Sequence, residues 1–157
     1  MADWTNTVAP EVTPTLHEVV RRRADLYQAI LGLERAAARP AVGREDEWVD
    51  GVLDALAELD HEIADHIDIT ERPDGLYDEI VEAAPRLSRS VQMLRDEHPD
   101  MQAATSALRS RLEARDAVPV DDARDEIQHV LGRLVKHRQH GADLLWEAYS
   151  LDTGGAE

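Results

Sequence analysis

The sequence predicts an all-α protein, an antiparallel up-and-down four-helix bundle, and three observations carry that expectation. Four amphipathic segments recur along the chain, with apolar residues returning at three- and four-residue steps. Breaks bearing proline or glycine separate them, and no segment shows the two-residue alternation of a strand. The apolar inventory is aliphatic: hydrophobic residues are 43% of the chain, with three Trp, three Tyr and no Phe, which suits helix packing.

Residues 1–12 lack periodicity and read as a flexible N-terminal arm. For the first helix, Thr13 can act as cap with Pro14 in the first helical position, or Thr15 can form a capping box with Glu18. The helix is expected to run to about Ala38, with Leu16, Val20, Tyr27, Ile30 and Leu33 turned inward, until Pro40 and Gly43 break it. The second helix is expected over residues 45–70, its seam marked by Val49, Val52, Leu56, Leu59, Ile63, His66 and Thr70. Arg72-Pro73-Asp74-Gly75 stops it, and a short helical piece over 76–84 leads to Pro85. The third seam passes through Leu87, Val91, Leu94, His98, Met101, Thr105, Leu108 and Leu112. Pro99 lies inside it and deprives the Arg95 carbonyl of an amide partner, which predicts a kink. After a connection over 115–120, Asp121 is expected to cap the fourth helix, with Ile127, Val130, Leu134, His137, Gly141, Leu144 and Ala148 inward. The bundle domain is thus expected over 13–151, followed by a flexible tail over 152–157.

At 157 residues the chain has the length of one domain with a proper core. Its net charge of −16 argues against nucleic acid and against an anionic membrane surface as partners. No apolar run approaches the ~20 residues of a membrane span. The start, Met1-Ala2-Asp3-Trp4, has no basic region leading into an apolar core, so the expected location is cytoplasmic. The absence of Cys excludes thiolate catalysis, disulfides and cysteine-ligated metal sites. There is no Gly-x-Ser-x-Gly elbow, no phosphate-binding loop and no EF-hand spacing.

The chemistry that remains is imidazole. Of seven histidines, His66, His98 and His137 each fall on the seam of a different helix. His17 sits at the edge of the first helix's apolar face, in register with Val20 and Ala24. His61 and His129 point outward, and His140 borders the fourth seam. In an antiparallel hairpin, residues equidistant from the turn lie at one height. The midpoint of positions 17 and 66 falls between Pro40 and Gly43, and that of 98 and 137 falls in the second connection. Each hairpin therefore brings its two histidines level. A single seam histidine is commonly a core residue bonded to a carbonyl or carboxylate. Four converging imidazoles need something to satisfy their lone pairs, and a metal ion does so.

With His17-Glu18-Val19-Val20, Asp65-His66, Glu97-His98 and Lys136-His137 in order on four helices, the chain resembles a hemerythrin-like (HHE cation-binding) domain. The stretch from His137 to Tyr149 is similar to a bacterial subgroup of these domains. The resemblance implies a non-haem di-iron centre held by His and bridging carboxylates, and roles in oxygen, nitric oxide or peroxide binding, sensing or detoxification. It implies His17, His66, His98 and His137 as nitrogen ligands. Thr70, Leu94, Gln102, Gly141 and Ala142 stand where the family places further ligands. Glu62, Glu71 and His140 are the candidates to replace them. Three readings follow. The first is a metal-binding protein, with mononuclear or dinuclear iron, or zinc, and a small diatomic ligand as partner. The second is a haem protein with axial imidazoles, in which Gly141 opposite His98 leaves room for a flat ligand. The third is a metal-free bundle serving an interaction or structural role.

Overall fold

Thr13 opens the first helix: its hydroxyl accepts from the Leu16 amide at 3.1 Å, with Pro14 behind it in the first turn. Of the two expected caps, the chain uses this one. The helix, α1, spans Pro14–Ala38. At its end the Ala37 carbonyl, which has no partner within the helix, accepts from Trp48 Nε1 at 3.2 Å and Arg124 Nε at 2.9 Å. Gly43 adopts φ +75°, a left-handed conformation that makes the turn into α2, Glu45–Glu71. Glu45, Asp46 and Glu47 in the first turn of α2 complement the helix dipole. There follow α3 (Leu76–Ala83), a single 3-10 turn (Pro85–Leu87), α4 (Ser88–Glu113) and α5 (Val120–Tyr149). α4 continues as helix through Pro99. Asp121, expected as a cap, lies inside the first turn of α5, which starts one residue earlier. This computed structural model describes residues 13–115 and 119–149; the expected arm, the middle of the last connection and the tail lie outside the described residues.

The four long helices form a ring of antiparallel neighbours in the order α1, α2, α4, α5. Arg22 near the start of α1 meets Asp65 near the end of α2 at 3.0 Å, while Trp48 at the start of α2 meets Ala37 at the end of α1. Arg111 pairs with Glu126 and Arg86 reaches the Glu147 carbonyl, which aligns α4 against α5. Arg109 with Asp60 and His98 with Glu71 set α4 against α2. Arg23 with Arg138 and Arg124 with Ala37 set α5 against α1. Among the described residues, no helix is long and apolar enough to cross a membrane.

The apolar interior is in two parts. The larger includes Leu26, Ile63, Met101 and Leu134; the smaller includes Val19, Ile69, Leu94 and Leu144, with α3 packed over it. Between them runs a polar layer containing buried His66, Thr70, His98 and His137.

The inner face of α1 differs from the expected one. Val20 and Tyr27 are 57% and 43% exposed, whereas their neighbours Val19 and Leu26 are buried to 1%. Adjacent apolar pairs, Val19–Val20 and Leu26–Tyr27, offer two faces about 100° apart. The packed one follows four- and three-residue steps through Val19, Arg23, Leu26, Ile30, Leu33 and Ala37. This shift turns His17 outward and brings Arg23 onto the seam.

Candidate metal centre

Three helices each contribute one seam imidazole to the polar layer. His66 comes from α2, His98 from α4 and His137 from α5, and all three are at most 5% exposed. Their ring centroids lie 5.1, 5.2 and 4.9 Å apart. One ring nitrogen from each falls within 4.8 Å of the other two. His66 Nε2 and His137 Nε2 are 3.1 Å apart. Tyr77 Oη of α3 stands 3.4 Å from His98 Nε2, its ring stacked on the imidazole at 5.9 Å.

Carboxylates hold two of the rings from behind. His98 Nδ1 donates to Glu71 Oε1 at 3.0 Å, and His137 Nδ1 donates to Glu97 Oε2 at 2.6 Å. His140 Nδ1 donates to the other oxygen of Glu97 at 2.7 Å, fixing that carboxylate. With the proton on Nδ1, the neutral ring of His98 or His137 presents an Nε2 lone pair to the centre. Among the described residues His66 has no such partner: its Nδ1 is buried without a hydrogen bond.

The centre disfavours added protons. Burial, and then the neighbouring His137, His98 and Arg23, hold His66 well below the usual histidine range. Burial and His137 lower His98 although Glu71 pulls the other way. Burial lowers His137 despite Glu97. For Glu97, burial pushes upward, but its hydrogen bonds from His137 and His140 win and keep it below the ordinary carboxylate value. Burial raises Tyr77, so its phenol stays protonated. The imidazoles are therefore neutral near pH 7, the form in which histidine ligates a metal.

The other candidates take different places. His17 is exposed on α1 and outside the triad, because the inner face of that helix runs through Leu16 and Val19 instead. Glu71 lies behind His98, bonded to the nitrogen that faces away from the centre. His140 serves Glu97 in the same way. Glu62 belongs to a separate, more exposed group with His61 and Asp65. Burial and then Asp25 and Asp65 raise its pKa. Thr70 donates back to the His66 carbonyl at 2.8 Å. The three centroid separations leave no slot for a planar macrocycle between the rings. Nor is Gly141 open: a Cβ there would lie 2.8 Å from Arg23 Nη1. Sequence reasoning missed Glu97, Tyr77 and Arg23. Arg23 lies four residues after Val19 and three before Leu26, but the competing Val20–Tyr27 stripe carries an equal signal.

No protein-family model, curated protein or solved structure matches this chain. The centre must be judged on its own chemistry. First-row metals bind imidazole nitrogen at about 2.0–2.1 Å, which sets neighbouring donor nitrogens about 3.0–3.4 Å apart. The His66–His137 separation of 3.1 Å lies within that span. Three neutral nitrogen donors, two of them oriented by carboxylates, suit iron, zinc or copper. With all three nitrogens within 4.8 Å of one another, the residues could hold one ion. With no carboxylate oxygen in the triad, they lack the anionic bridges a pair of ions needs.

Proposed function

We propose that this protein binds a single first-row metal ion, iron or zinc, at His66, His98 and His137, and uses it for hemerythrin-like handling of a small molecule such as dioxygen, nitric oxide or peroxide. The observation that carries this reading is the convergence of three buried, neutral imidazoles from three helices, with Glu71 and Glu97 behind two of them. When bound, such an ion supplies a Lewis-acidic open position, and iron adds redox chemistry. The chain's own residues prepare that position. Glu71 and Glu97 choose the tautomers of His98 and His137, and His140 keeps Glu97 from rotating. Tyr77 offers a protonated phenol beside His98 that can donate a hydrogen bond to a bound ligand. The apolar clusters on both sides exclude water, which strengthens each of these interactions.

The test is metal analysis of the full chain after loading with Fe(II) or Zn(II). One ion per chain is expected, lost on His66→Ala, His98→Ala or His137→Ala and retained on His17→Ala. Wild-type protein that takes up neither metal would overturn the reading. A second reading has its own support. In the metal-free state His66 Nε2 can donate to His137 Nε2, and Tyr77 to His98, which together make a nearly satisfied polar core. A bundle with an interaction or structural role would then show no metal, and single His→Ala changes would alter stability by only ~1–2 kcal/mol.

A further inference from the structure

Four of the six large exposed apolar side chains among the described residues lie on one side of the bundle: Val20 and Tyr27 of α1, Val135 and Trp146 of α5. They belong to two longer stripes. On α1, Val20, Ala24, Tyr27 and Leu31 follow four- and three-residue steps, about 100° around the helix from the packed seam. On α5, Gln128, Gly132, Val135, Gln139, Ala142 and Trp146 have the same spacing and are all exposed. Neither stripe holds a charged residue, in a chain where 32% of residues are charged. Uncharged stripes at this spacing on solvent-facing helices are what another helix packs against. Arg138 of α5 lies over the Tyr27 ring at 4.7 Å and joins the two stripes into one face.

Charge says what covers that face. α2 carries eleven acidic residues and neither Lys nor Arg, so a basic partner would be drawn there. α1 sets four Arg against three acidic residues. Two copies of a chain with net charge −16 therefore repel least where α1 and α5 meet solvent.

The heights of the two helices give the fit. Arg23 is level with Arg138, and Ala37 with Arg124. By the same offset Tyr27 is level with Leu134, Val20 with Gly141, Arg21 with His140 and Arg35 with Glu126. A two-fold axis parallel to the helices keeps these heights and lays α1 of one copy over α5 of the other. Large residues then meet small ones: Tyr27 and Leu31 face Val135 and Gly132, and Val20 faces Ala142. A Cβ on Gly132 would meet nothing within 4 Å, so that space is open. At the rim, Arg21 comes within one turn of Asp143 in the second copy, and Arg35 within one residue of Asp125. All four are exposed, and none has an ion-pair partner among the described residues.

We propose that the α1–α5 face is the contact between two copies of this chain, with α1 of each packed antiparallel on α5 of the other. An overlap about 27 Å long and about 20 Å wide covers roughly 500–600 Å² per copy. The total is at the lower edge of a specific interface, which makes the dimer reversible. The proposal does not depend on the metal reading.

Sedimentation velocity of the full chain across the micromolar range tests it, and a concentration-dependent monomer–dimer equilibrium is expected. Val135→Glu should raise the dimer Kd about tenfold or more, with helix content and melting temperature unchanged, since Val135 is 57% exposed. Met93→Glu adds the same charge at an exposed position on α4 and should leave the Kd within about twofold. At low ionic strength Arg21→Glu should weaken the dimer about 3–10-fold, and adding Asp143→Arg should restore it. Monomer at every concentration overturns the proposal and leaves the face to a different partner. Equal weakening by Met93→Glu and Val135→Glu overturns it as well. A dimer broken by Val135→Glu but indifferent to the charge exchange overturns the packing of α1 on α5.

Discussion

His66 Nε2 lies 3.1 Å from His137 Nε2, although 71 positions separate the two residues in the chain. Two neutral imidazoles can meet in this way only if one donates and the other accepts. The Glu97 carboxylate takes the Nδ1 proton of His137, so His137 is the acceptor and His66 the donor. That assignment leaves His66 Nδ1 as a buried atom without a partner among the described residues. One carboxylate on α4 thus sets the tautomer of two histidines on two other helices.

Metal-free protein should lose stability as pH falls below about 6.5, the ordinary histidine value. Burial lowers all three triad histidines in the folded state. Above that pH the folded and unfolded forms are both neutral, and nothing is lost. Below it the unfolded chain takes up protons that the folded one refuses. Each such histidine then removes about 1.4 kcal/mol per pH unit until its own folded value is reached. Urea midpoints measured from pH 7.5 to 5 would show the decline, and a flat profile would contradict it.

Glu97→Gln should weaken metal binding about 10–100-fold while leaving helix content unchanged. The variant loses the charged acceptor that orients His137 and the bond from His140. Competition against a chelator of known affinity measures the change; unaltered affinity would mean that Glu97 does not position its ligand.

Glu62→Gln should leave metal stoichiometry unchanged and leave stability at pH 7 equal or higher. Burial and the neighbouring Asp25 and Asp65 raise the Glu62 pKa, so its ionised form is held unfavourably in the folded protein. Removing that charge relieves the cost. Loss of the metal in this variant would instead make Glu62 a ligand.

Val19→Ala and Val20→Ala should differ sharply, since they test which face of α1 is packed. Val19 is buried and its removal should cost about 1.5–3 kcal/mol. Val20 is 57% exposed and should change stability by no more than about 0.5 kcal/mol. Equal effects in urea titrations would mean that the inner face of α1 is not the one described.

The helices and the histidine layer were legible to different depths. The seams of the second, third and fourth long helices have one apolar stripe each, and His66, His98 and His137 fall on it without ambiguity. The first helix has two overlapping stripes, and a one-residue error there exchanged Arg23 for His17. Glu97 and Tyr77 could not be ranked in advance, because an acidic residue beside a seam and a tyrosine in a short helix are each common and unremarked.

The chain by itself determined its helices, their breaks and three of the four inward chemical groups, because these depend on periodicity and turn residues acting over short range. Only the tertiary structure decided which stripe of α1 packs, which nitrogen each carboxylate takes, and that a guanidinium closes the layer. Those outcomes depend on the rotation of each helix about its own axis. That rotation is settled by volume and hydrogen bonding across the bundle, contacts between residues far apart in sequence, and no local pattern encodes it.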